Sequence, residues 1–140
     1  KLRFERLTAL GSLRETSRVI PVDGSTKLRK SPTVEFRSRS QPDMGRIDFA
    51  VPADTVEIWR FVNATGMAHP MHLHGHYFKV MALGNTVIDG ALRDVVLVPP
   101  METVTIVFDA DNPGSWPFHC HHAYHMHSGM MGSVGYTSAA

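Results

Sequence analysis

Val56-Glu57-Ile58-Trp59-Arg60-Phe61-Val62 gathers β-branched and aromatic residues into one strand-length run, directly after the turn-forming Val51-Pro52-Ala53-Asp54. Such a run, bounded by Pro and Asp, reads as a β-strand. Thr103-Val104-Thr105-Ile106-Val107-Phe108 repeats the composition with partial alternation, and Tyr77 to Leu83 and Val95 to Val98 supply two more strands. Gly84-Asn85, Asp89-Gly90, Pro99-Pro100 and Asp111-Asn112-Pro113-Gly114 mark turns between and after them, as Pro21 to Gly24, Ser31-Pro32 and Gln41-Pro42-Asp43 do upstream. No segment after residue 40 carries a 3.6-residue period with caps at both ends. Short strands with a turn about every ten residues predict an all-β antiparallel sandwich or barrel.

The 140 residues, 43% apolar and 19% charged, suit one domain with a real core and argue against disorder. Residues 1–140 therefore read as a single domain, with 41–140 as its core and 1–40 as edge strands or linker. Within the latter, Leu2, Phe4, Leu7 and Leu10 suit a short strand pair or helical turn, and Val19 to Val22 a short strand. Lys27-Leu28-Arg29-Lys30 and Arg37-Ser38-Arg39-Ser40 look solvated. The purely apolar stretches, such as Val95 to Val98, fall far short of the roughly 18 residues a membrane span needs, which excludes a membrane-spanning role. The single cysteine, Cys120, excludes an internal disulfide and leaves a thiol that is inert, reactive or a ligand. Residues 1–46 hold eleven of the fourteen Lys and Arg against five acids, and the remainder three against eight. The basic residues lie scattered among Glu5, Glu15, Asp23 and Glu35 without aromatic interleaving, so no nucleic-acid partner is expected.

All nine histidines fall between residues 69 and 127, in two clusters. The first is His69-Pro70-Met71-His72-Leu73-His74-Gly75-His76; the second runs from His119-Cys120-His121-His122 through His125 and His127 to Met130. Imidazole and thiolate are the donors that copper, zinc and iron prefer. Cys120, His125 and Met130, spaced at intervals of five, can converge on one ion, with His69 arriving from the first cluster. Two His, one Cys and a long axial Met are the ligands of a blue copper centre, whereas zinc has no use for the Met. On an extended backbone His119 and His121 project to one face and Cys120 to the other. His72 and His74 repeat that geometry, and four imidazoles in two His-x-His pairs suit a cluster of more than one metal. The Cys120 backbone then joins two sites. Taken singly, His76, His122 and His127 read as hydrogen-bonded core residues. Met44, Met81 and Met101 read as core fillers. Met67, Met71 and Met126 stand beside proposed ligands, where soft thioethers suit either packing or Cu(I) as substrate.

These residues resemble the third and fourth copper-binding motifs of the multicopper oxidases, the group of laccases, cuprous oxidases and bilirubin oxidases. The likeness runs through Arg46-Ile47-Asp48-Phe49 and Glu57-Ile58-Trp59 to the end, roughly residues 41 to 140. It implies a cupredoxin-like Greek-key sandwich or barrel. By position it assigns His69, Cys120, His125 and Met130 to a type 1 copper, His72 to the type 2 copper, and His74, His119 and His121 to the type 3 pair. In that family one-electron oxidation at the type 1 site feeds a trinuclear cluster that reduces dioxygen to water. Cys120, His119 and His121 are then the catalytic residues, and a phenol, an aromatic amine or Cu(I) the reductant. The family's trinuclear cluster is held by eight His; the other four are expected from an N-terminal cupredoxin domain of the same enzyme or from a partner chain. Met126 stands where some members carry a proton-relaying Glu, and Asp94 is a candidate to orient a metal-bound imidazole. The resemblance also implies a periplasmic or secreted protein. A small blue-copper electron carrier and a copper nitrite reductase relative are the competing readings; a simple carrier has no need of the His-x-His pairs.

Overall fold

The computed structural model describes residues 47–137, together with the backbone of 2–9, 29–30 and 34–35. The expected strand Val19 to Val22, the solvated stretch Arg37 to Ser40, and Met44 lie outside the described residues. Among the described residues, thirteen strands form two sheets, which meets the all-β expectation. In chain order they are β1 (Leu2–Ala9), β2 (Arg29–Lys30), β3 (Val34–Glu35), β4 (Phe49–Pro52), β5 (Thr55–Asn63), β6 (His69–Leu73) and β7 (Phe78–Leu83). They continue as β8 (Thr86–Val87), β9 (Leu92–Arg93), β10 (Val95–Val98), β11 (Thr103–Ala110), β12 (Ser115–Cys120) and β13 (Met131–Thr137). One sheet runs β2-β1-β5-β11-β7-β8, with β3 beside β1 and β9 beside β7; the other runs β10-β6-β12-β13-β4. The chain crosses repeatedly between sheets, so β6 pairs with distant β12 instead of its sequence neighbours. Such non-sequential antiparallel pairing is what a Greek-key connection produces. Among the described residues, no helix is long and apolar enough to cross a membrane.

The core lies where the sheets face each other. Trp59 and Phe108 come from the first sheet and Phe49 and Phe118 from the second, all buried. The Trp59 ring meets Phe108 edge-on at 4.8 Å and Phe118 at 5.5 Å, so one indole joins both sheets. Phe118 lies two residues before Cys120 and opposite Leu73 in the β12/β6 pairing, so the core packing fixes the height of the cysteine.

Among the described residues, one short helix, α1 (Ala123–His127), breaks the β pattern. The sequence shows no period for it because none of its five residues is buried and its N-cap makes no side-chain hydrogen bond. It turns the chain back from β12 to β13. Gly129, at φ 101, completes that turn, and the backbone of Met130 bonds to both His125 and Cys120, at 3.0 Å each.

Candidate metal centre

β6 lies between β10 and β12, and its register sets His72 opposite His119 and Met71 opposite Cys120. Burial alternates along β6: His69, Met71 and Leu73 face the core while Pro70 and His72 face outward. Strand parity therefore splits each histidine cluster between opposite faces of one sheet.

On the core face, His69 is 3% exposed and Cys120 0%, and α1 brings His125 over them. Cys120 Sγ stands 3.9 Å from His69 Nδ1 and 3.6 Å from His125 Nδ1, and the two Nδ1 atoms are 3.2 Å apart. With metal bonds of about 2.0 Å to nitrogen and about 2.3 Å to sulfur, three ligands in a plane stand about 3.5 Å apart between nitrogens and about 3.7 Å from sulfur to nitrogen. The observed triangle brackets those edges, so its size and its soft donor set both fit a copper ion. Burial pushes the Cys120 thiol above its ordinary value of 9.0, an effect partly offset by the backbone N–H of His122. Burial, reinforced by the neighbouring His125, holds His69 below 6.5 and so keeps it in the neutral, ligating form. Met130 is half-buried against the core cluster beside this triangle.

On the outer face, the donor nitrogens of His72, His74 and His119 lie within 4.8 Å of one another. His74 Nε2 and His119 Nε2 are 2.9 Å apart. His121 follows the end of β12 at an exposed bend, held by its backbone N–H to the Pro70 carbonyl at 2.6 Å. Its ring stacks on His119 at 6.0 Å and stands 5.6 Å from His72, so all four imidazoles gather on this face. Backbone carbonyls orient two of them: His72 Nδ1 meets Asp94 O at 2.8 Å, and His119 Nδ1 meets Cys120 O at 3.0 Å. Each ring donates there and leaves Nε2 free to ligate. His74 and His119 are both held below 6.5, chiefly by burial.

Other expectations sort unevenly. Asp94 does orient His72, but through its carbonyl; its carboxylate stands 3.9 Å away. His76 is the hydrogen-bonded core residue expected, donating from Nδ1 to His74 O at 2.9 Å and accepting from the Tyr136 hydroxyl. His122 and His127 are exposed, because the short helix and its cap bury nothing. Met101 is 72% exposed and so is no core filler; it sits in a turn at φ 59. Met71 is 1% exposed and packs in the core, which of the three methionines expected beside ligands leaves exposed Met67 and half-buried Met126 within reach of solvent. Two residues that carry no signal in the sequence also touch the site. Thr65 Oγ1 stands 2.9 Å from His69 Nε2, and buried Asn63 holds Thr65. An Asn-x-Thr that begins on the last residue of a strand is too common a pattern to stand out in a sequence.

Residues 17–139 match the sequence profile of a family described as "Multicopper oxidase". The chain is 43% identical over 76 residues to the multicopper oxidase MmcO of Mycobacterium tuberculosis, which covers 54% of this chain and 15% of that protein. It is 40% identical over 90 residues to Laccase-4 of Trametes villosa, covering 58% of this chain and 17% of the relative. Among solved structures, a multicopper oxidase from Campylobacter jejuni described as a metallo-oxidase superposes with a TM-score of 0.62 at 34% identity. That match covers 69% of this chain and 21% of the other. The chain thus spans less than a quarter of each of these proteins.

Proposed function

Because this chain belongs to the multicopper oxidase family, we propose that it is the C-terminal domain of a copper oxidase, oxidising phenols, aromatic amines or Cu(I) with dioxygen. Its two-sheet sandwich is the cupredoxin fold. One observation carries the reading: Cys120 serves both faces of the sheet. Its sulfur completes the triangle with His69 and His125, while its carbonyl accepts the Nδ1–H of His119 in the outer cluster. Copper, when bound, supplies one-electron oxidation at the first site and reduction of dioxygen to water at the second.

The chain's own residues divide the work. His69, Cys120, His125 and Met130 would hold the type 1 copper, with His69 and Cys120 buried at the core face of the sheet. His72 contributes to the type 2 copper, and His74, His119 and His121 to the type 3 pair. These four are half of the imidazoles such a cluster needs, so the remaining four come from another cupredoxin domain or a partner chain. The peptide links from Cys120 to His119 and His121 are a short covalent route between the faces. A periplasmic or secreted location accompanies this reading.

Copper analysis and oxygen uptake on the intact protein test it. About four coppers per assembled unit, with water as product, are expected; one copper without oxygen uptake would make the protein a simple electron carrier. Cys120→Ser should abolish both the blue absorption and turnover, and retained activity in that variant refutes the assignment.

A further inference from the structure

The two nitrogens of His69 face different surroundings, and only one of them can serve a metal. Nδ1 points at Cys120 and His125, while Nε2 stands 2.9 Å from Thr65 Oγ1. The ring ligates through Nδ1 only if its proton resides on Nε2. The protons around Thr65 decide this.

Asn63 is 2% exposed, and its two Nδ2 hydrogens face three carbonyls, those of Met67 at 2.7 Å, Pro99 at 2.9 Å and Val98 at 3.2 Å from the nitrogen. Three carbonyls around one nitrogen leave no doubt which amide atom is nitrogen, so the other is Oδ1, an acceptor only. Thr65 Oγ1 lies 2.7 Å from that Oδ1. Two oxygens approach so closely only with a proton between them, and Asn63 Oδ1 has none to give. The Thr65 hydroxyl therefore donates to Asn63, and its lone pairs are turned outward. Toward His69 it can only accept.

We infer that Asn63 and Thr65 are a positioning pair that locks His69 in its Nε2–H tautomer and thereby presents Nδ1 to the Cys120 site. The backbone serves the same end: Thr65 N–H donates to Asn63 Oδ1 at 3.0 Å, and Met101 N–H to the Thr65 carbonyl at 3.2 Å. The tautomer itself is independent of any metal; its consequence for affinity rests on the copper reading proposed above.

The test compares Thr65→Val, which keeps the shape and loses the acceptor, with Thr65→Ser, which keeps the acceptor. Two-bond ¹⁵N–¹H correlations on the metal-free intact protein identify the protonated nitrogen of His69. Nε2–H is expected in the parent and in Thr65→Ser, with Nδ1–H populated in Thr65→Val. Competition with a Cu(I) chelator should then show affinity at this site weakened about tenfold or more in Thr65→Val and nearly restored in Thr65→Ser. A parent His69 protonated on Nδ1 overturns the inference, as does a Thr65→Val protein with unchanged tautomer or unchanged Cu(I) affinity. A parent that binds no Cu(I) at Cys120 contradicts the copper reading instead, and the metal-free spectra still decide the tautomer.

Discussion

Metal binding at the Cys120 site should release close to one proton, and the number follows from the burial of its donors. Burial holds the Cys120 thiol above its ordinary 9.0, so the protonated thiol is the prevailing form at pH 8. Burial holds His69 below 6.5, so at the same pH its imidazole is neutral. A metal taking the Cys120 sulfur and the His69 nitrogen therefore displaces the thiol proton and almost nothing from His69. Affinity should rise about tenfold per pH unit between pH 7 and 8.5, a slope of one, because the thiolate is the ligating form. Co²⁺ suits the assay, since its sulfur charge-transfer absorption reports ligation without redox chemistry. Titrations in two buffers of different ionisation enthalpy give the proton count directly. Cys120→Ser should abolish the charge-transfer absorption and bring the count near zero. A count near two, or an unchanged count in that variant, would refute this account of the site.

Other perturbations give separate handles. In Gly75→Ala the new Cβ would lie 2.4 Å from the Trp116 indole at a backbone φ of +72, so we expect a loss of about 2 kcal/mol or more in thermal unfolding, with His74 displaced. Phe118→Ala empties the space between Phe49 and Trp59, and urea unfolding should register about 3–5 kcal/mol. Met130→Leu should keep copper at the Cys120 site with a shifted midpoint potential; losing that copper would contradict an axial role. The metal-free protein should lose stability as pH falls below about 6.5, because buried His69, His76 and His119 have lowered folded values and the unfolded chain binds more protons. Tyr136, pushed up to about 12 in the fold, adds the opposite edge: its contribution fades as pH rises above 10. Chemical unfolding midpoints across pH measure both.

Much of this was legible because strands announce themselves locally. The Val56 to Val62 run became β5 with one added residue at each end, and Val95 to Val98 matched β10 outright. β12 and β13 were harder, since Pro117 and the glycines of Met131–Thr137 carry little β signal and earn their strands from pairing. The histidine clusters stood out because ligand chemistry needs particular residue types at particular spacings. Helix α1 did not, having no buried stripe to create a period. Thr65 and Asn63 were invisible for another reason. Their significance lies in which atom donates to which, and only three-dimensional contact supplies that. Met101 misled for a related cause: an unbranched thioether suits a core, yet its turn carries it into solvent.

The pairing of β6 with β12 places Met71 against Cys120 and His72 against His119. Since neighbours along a strand face opposite ways, inserting or deleting one residue in the middle of either strand would exchange inside for outside at every later position. The sulfur would turn to the solvent side and an imidazole would enter the apolar interior. The number of residues in this stretch is accordingly as binding as the identity of its ligands: a frame error of one dismantles both centres together.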